Sequence, residues 1–137
     1  MDASQAARLP ADTFDACWSI GLPGRLGSVA AALDAFEASL APLKPGGVAA
    51  HAVSLNLASD GLTWEEPDNV LLRRRDVEAL AQRLAENGHA LLPLNTHPGR
   101  DIEDEQVHNE LSGAPGLRQR RGMMVHAAFG IAIRKRG

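Results

Sequence analysis

The stretch Leu43-Lys44-Pro45-Gly46-Gly47-Val48-Ala49-Ala50-His51-Ala52-Val53 decides how the rest of the chain reads. Proline followed by two glycines ends any preceding helix and turns the chain sharply. Residues 48–57, directly after that turn, are rich in small and β-branched side chains and read as a strand that delivers His51 and Asn56 toward its carboxyl end. Upstream, Ser28 is suited to cap a helix, and Val29, Ala32, Leu33, Phe36 and Leu40 recur at helical spacing until Pro42 and Pro45. Before that helix, residues 13–20 are short and mostly apolar, bounded by Pro10 and a glycine-rich loop. They read as a strand buried on both faces, with Trp18 in the core.

Downstream, residues 58–69 form a polar connection. A second helix starts near Asp76, whose carboxylate suits its amino end, and runs through Val77, Leu80, Ala81 and Leu84 to a stop at Gly88. Residues 90–94 are a third strand, which Pro93 assigns to a sheet edge, and residues 123–134 are the last. The intervening residues 95–122 are long for a connection and change from acidic (Asp101, Glu103, Asp104, Glu105) to basic (Arg118, Arg120, Arg121). Strand, helix, strand, helix, strand predicts a right-handed α/β unit with a mainly parallel sheet. The last two strands have no helical pattern between them and are free to pair antiparallel.

At 137 residues, 45% of them hydrophobic, with a formal charge of −3, the chain suits a single domain over residues 1–137. Its one cysteine, Cys17, excludes an internal disulfide and fits a reducing, cytoplasmic setting. No cationic start precedes an apolar core, and no window approaches the roughly 20 apolar residues of a membrane span, so the expectation is no membrane. Overall acidity predicts no nucleic-acid partner, with the late arginines as solvated surface.

The loop Gly21-Leu22-Pro23-Gly24-Arg25-Leu26-Gly27 lies between a strand and a helix, where backbone amides can hold an anion; without the Lys-Ser/Thr of a phosphate loop, it also reads as a plain turn. The five histidines never take metal-ligand spacing, and no metal is expected. His51 reads either as a base toward an acceptor hydroxyl or as a hydrogen-bonded core residue. His97, in Thr96-His97-Pro98, is a second candidate beside an acceptor. Arg73-Arg74-Arg75 either holds an anion or pairs with nearby carboxylates such as Asp76, and Trp64 either covers a sugar ring or closes a loop.

Several segments fall in the order of one family: residues 14–19, Leu26-Gly27-Ser28, Leu43 to Gly47, His51 and Asn56, residues 70–76 and residues 129–134. Together they resemble the carboxyl-terminal part of class I S-adenosylmethionine-dependent methyltransferases, of the kind found among bacterial sugar and surface-polysaccharide modification proteins. The resemblance implies a partial Rossmann-like sheet, strands four to seven with the last two antiparallel, and flanking helices. Strands one to three are missing, and with them the glycine-rich turn and the acidic residue that hold most of the cofactor. It further implies S-adenosylmethionine as cofactor, contacted by Asp2 and Ser19, with His51 catalytic and with Asn56 and His97 toward a small-molecule or saccharide acceptor. Two departures stand out: Gly24-Arg25 replaces a Glu-His pair in the pocket-lining loop, and Ser54-Leu55 replaces Glu-Phe. The expected behaviour is a methyltransferase fragment inactive alone. Its open strand-four edge would be completed by a second copy or a complementing chain, or would serve a non-enzymatic interaction module.

Overall fold

The computed structural model describes residues 8–94, 107–108, 118–121 and 123–137. Phe14–Ile20 forms β1, and one 3-10 turn over Pro23–Arg25 leads to α1, Val29–Ala38. Ser28 caps α1 as its position predicts: its backbone is extended and its Oγ accepts from the Ala31 amide at 3.1 Å. The next strand, β2, spans Leu43–Asn56 and so begins before the proline and the glycines. They do not leave the sheet; they bulge from it. Phe14 pairs with Leu43 and Ala16 with Val48, so Lys44 to Gly47 are looped out against one residue of β1. Gly46 has a φ of 80°. A Cβ on Gly47 would lie 2.9 Å from the Lys44 carbonyl oxygen and 3.0 Å from that of Asp15, so the bulge closes only around a bare backbone.

The expected polar connection contains a hairpin instead, β3 (Trp64–Glu66) paired antiparallel with β4 (Asn69–Leu71). Beyond it the chain lies along the carboxyl end of β2: the Leu72 amide donates to the Ser54 carbonyl at 3.0 Å and the Asn56 amide to the Leu72 carbonyl at 2.7 Å. Helix α2 spans Arg74–Glu86, with Asp76 inside its first turn and not at the cap. Then come β5 (Ala90–Leu91), β6 (Val107–His108), β7 (Arg118–Arg121) and β8 (Met124–Arg134). The strand order is β1-β2-β8-β7-β6, with β5 also on β8.

The class is α/β with a partial Rossmann-like sheet, as the sequence implies. β1 and β2 are parallel, and β5 and β8, the last two strands expected, pair antiparallel. The sheet is less parallel than predicted, because β8 runs opposite to each of its neighbours β2, β5 and β7.

Both helices cover one face. Alternation along β2 turns Ala49, Val53 and Leu55 toward them. There they meet Leu33 and Phe36 of α1, Val77, Leu80 and Leu84 of α2, and Ile131 and Ile133 of β8. Each fully buried aliphatic side chain contributes about 1.5–3 kcal/mol. Arg83 ties the helices together through Asp34, at 2.7 Å, and Glu37.

The other face carries no helix among the described residues, and this overturns the burial expected of residues 13–20. Trp18 is 75% exposed and Ile20 77% exposed. Beside Trp18 the register places Ala50 and then Ala132; beside Ile20 it places Ala52 and then Gly130. A parallel strand with apolar residues at five of its seven positions, Trp18 and Ile20 among them, is built for cover on two sides. β1 has it on one.

No helix among the described residues is long and apolar enough to cross a membrane.

Candidate functional site

The carboxyl ends of parallel strands are where open α/β sheets place ligands. Here β1 runs into the 21–27 loop, and β2 leads into the β3–β4 hairpin. The hairpin is pinned above the loop: the Glu65 carboxylate accepts from the Val29 amide, the first of α1, at 2.7 Å. The loop packs against β4 at Gly24, where a Cβ would meet the Val70 carbonyl oxygen at 3.4 Å, an ordinary contact distance. Between loop and hairpin is a cavity of about 420 Å³, lined among others by Gly21, Arg25, Ser54, Asp68, Asn69 and Val70. The Arg25 side chain folds back over the end of β1, its Nε 4.0 Å from where a Gly21 side chain would begin.

His51, Ser19 and Ser39 lie under α1, off the cavity wall. His51 is 7% exposed, edge-on to Phe36 at a centroid distance of 5.2 Å. The Ser39 hydroxyl donates its only proton to the Phe36 carbonyl at 2.6 Å, so it can only accept from His51 Nε2, 3.1 Å away. That fixes the tautomer: Nε2 carries the hydrogen, and Nδ1 accepts from the Ser19 hydroxyl at 2.8 Å. Burial lowers the His51 pKa from 6.5 to about 4. A neutral imidazole with both nitrogens engaged matches the core reading of this residue. Its one basic atom points at Ser19 and away from solvent. Cys17 belongs to the same layer, its thiol donating to the Ser39 carbonyl at 3.5 Å, with burial raising its pKa.

Asn56 is committed to the backbone. Its Oδ1 accepts from the Ala58 amide at 2.9 Å and its Nδ2 donates to the Leu62 carbonyl at 3.1 Å, which shapes the 58–62 turn. A smaller cleft of about 230 Å³ lies beside it, bordered by Asp60 and Arg74. Of the three arginines, Arg73 is engaged internally: its Nε and a terminal nitrogen grip Asp76, each at 2.8 Å, in a fork that is largely buried. Trp64 stands half-buried in the hairpin. Asp2 and His97 lie outside the described residues. Among the described residues, no group of three or more His, Cys, Asp or Glu is placed to hold a metal.

S-adenosylmethionine requires close backbone approach at its amino-acid end and a carboxylate for its ribose hydroxyls. The turn after β1 brings backbone to the cavity at Gly24, but the Gly21 amide already donates to the Ala52 carbonyl and the Ser19 hydroxyl is turned inward to His51. Among the described residues no strand lies beyond the outer edge of β1 to carry the remaining elements. These residues therefore do not fit the whole cofactor.

No family model and no curated protein sequence matches the chain. Among solved structures it is similar to TTHA0409 from Thermus thermophilus, a proposed DNA modification methylase. Against the selenomethionine derivative the TM-score is 0.46 at 17% identity, over 99% of this chain and 51% of that one. Against the complex with S-adenosyl-L-methionine it is 0.43 at 19%, over 98% and 53%. The chain spans about half the length of these structures. That finding overturns the exclusion of nucleic acid as a partner, because the similar protein is a proposed DNA modification methylase. A formal charge of −3 averages over the whole chain and is compatible with a basic segment such as β7, Arg-Gln-Arg-Arg.

The cavity residues were half visible beforehand. Gly24-Arg25 and Ser54-Leu55 are the two departures from the expected pattern, and Gly24, Arg25 and Ser54 line the cavity. Asp68 and Asn69 were missed with their hairpin, although Pro67-Asp68 between Trp64 and Val70-Leu71 is a recognisable turn signal.

Proposed function

We propose that the chain is the carboxyl-terminal half of a methyltransferase domain, forming the acceptor-side wall of its site and inactive by itself. The observation that carries this reading is the uncovered sheet face, with Trp18 and Ile20 three-quarters exposed on an edge strand parallel to β2. A strand added outside β1, with its connecting helix laid on that face, would give β1 the two-sided cover its sequence is built for. The cofactor would be held by the completed domain, with the turn after β1 as one wall. The acceptor would be a small polar molecule or a saccharide, in keeping with the polar cavity at the ends of β1 and β2. His51 would act as a positioning residue, holding the Ser19 hydroxyl inward. A cytoplasmic location belongs to the same proposal and rests on the lone free thiol of Cys17.

Calorimetric titration of the folded chain with S-adenosylhomocysteine tests this. No binding is expected from the chain alone; one ligand bound per chain would refute the half-domain reading. The open edge of β1 also favours a second reading, a non-enzymatic module that pairs through that edge. Stable association of the chain with a protein that supplies no methyltransferase elements would select it.

A further inference from the structure

Four polar side chains converge on the 420 Å³ cavity: Arg25, Ser54, Asp68 and Asn69. None of the four side chains has a hydrogen-bond or ion-pair partner among the described residues, including one another. Elsewhere this chain uses its charges internally: Lys44 pairs with Asp15, Arg73 with Asp76, Arg83 with Asp34 and Glu37, and Lys135 with Asp12. Arg25 and Asp68 border one half-open cavity and stay more than an ion-pair distance apart. The walls that hold them are tied down, the turn by the Gly21 amide donating to the Ala52 carbonyl at 2.8 Å and the hairpin by Glu65 on α1 and by Leu72 on β2.

We propose that this cavity binds a small dipolar ligand carrying both a carboxylate and an ammonium group, in the manner of a free amino acid. The Arg25 guanidinium takes the carboxylate, for which its planar fork is suited. The Asp68 carboxylate takes the ammonium group. Ser54 and the Asn69 amide supply neutral hydrogen bonds between them. The volume lies within the range of small-molecule pockets, and a few convergent polar groups fix orientation in such sites. A ligand of one charge would engage one side and leave the other to water.

This rests on the reading of the cavity as the acceptor side and names the chemistry it takes, but the binding itself needs neither cofactor nor methyl transfer, so it is tested apart from that reading. The test is titration of the chain with glycine and with β-alanine, tracked by the backbone amide shifts of Gly21, Gly24 and Asn69, with acetate and methylamine as singly charged controls. Saturable shifts by at least one amino acid, at concentrations where neither control binds, are expected. Arg25→Gln and Asp68→Asn should each weaken that binding roughly tenfold. Both side chains are solvent-exposed, so both variants should unfold at the same temperature as the parent. Arg25→Gln should also erase the preference over methylamine, and Asp68→Asn the preference over acetate. Absence of shifts in the folded parent chain would overturn the proposal, as would equal binding of acetate and amino acid.

Discussion

Acidification tests the His51 network directly. In the folded chain burial takes its pKa from 6.5 to about 4, so between those values the unfolded chain binds a proton that the folded chain refuses. Stability from this group is complete above about pH 6.5 and is lost as the pH falls to about 4, below which both states are protonated. The shift corresponds to about 3 kcal/mol, a large share of the roughly 5–15 kcal/mol typical of a domain. The structural reason is specific. A protonated Nδ1 would face the Ser19 hydroxyl that now donates to it, and that hydroxyl would have to turn away. Urea unfolding at steps between pH 7 and pH 4, for the parent and for His51→Gln, measures the difference. Gln has no proton to gain, so its unfolding free energy should fall less across the window, by about the stated amount. Parallel losses in both proteins would refute the buried, neutral histidine.

Gly47→Ala places a methyl group against two carbonyl oxygens, at 2.9 and 3.0 Å, and should cost about 2–3 kcal/mol in urea unfolding. Gly46→Ala has free space around it but keeps a positive φ, so its cost should be smaller, about 1 kcal/mol; equal costs would speak against the close approach of β1 and β2. Asp76→Ala leaves the largely buried Arg73 guanidinium without its fork and should destabilise by about 3 kcal/mol, detectable as a lowered unfolding midpoint. Trp18→Ser should change stability by less than about 0.5 kcal/mol, because the ring is solvated already; a loss like that of a core tryptophan would mean that the face is covered in solution.

The local rules were legible where the chain decides its own conformation. Ser28 as cap, the apolar spacing of α1 and the end of α2 ahead of Gly88 all follow from neighbours in sequence. The bulge was half legible. Lys-Pro-Gly-Gly announces a turn, but whether it leaves the sheet depends on the pairing of Phe14 and Ala16 with Leu43 and Val48. Trp18 was misread because burial belongs to the element that covers a residue, and an apolar strand reads the same with or without it. His51 lay open between base and core; burial decides its protonation, and the hydroxyls of Ser19 and Ser39, distant in sequence, decide its tautomer and its orientation. The cavity was least legible, since Arg25, Ser54 and Asp68 meet only through the hairpin's return to β2.

The bare face is uneven in relief. Across β2 and β8 it is floored by Ala50, Ala52, Ala132 and Gly130, while at β1 the indole of Trp18 and the side chain of Ile20 stand up from it. A helix laid there would settle deeply over the alanines and be held off along one margin, so its axis would ride tilted against the strands. That margin acts as a stop rail. It would dictate where a covering segment comes to rest, and a smooth cylinder of leucines would seat less well than one with a notch of small residues where Trp18 enters.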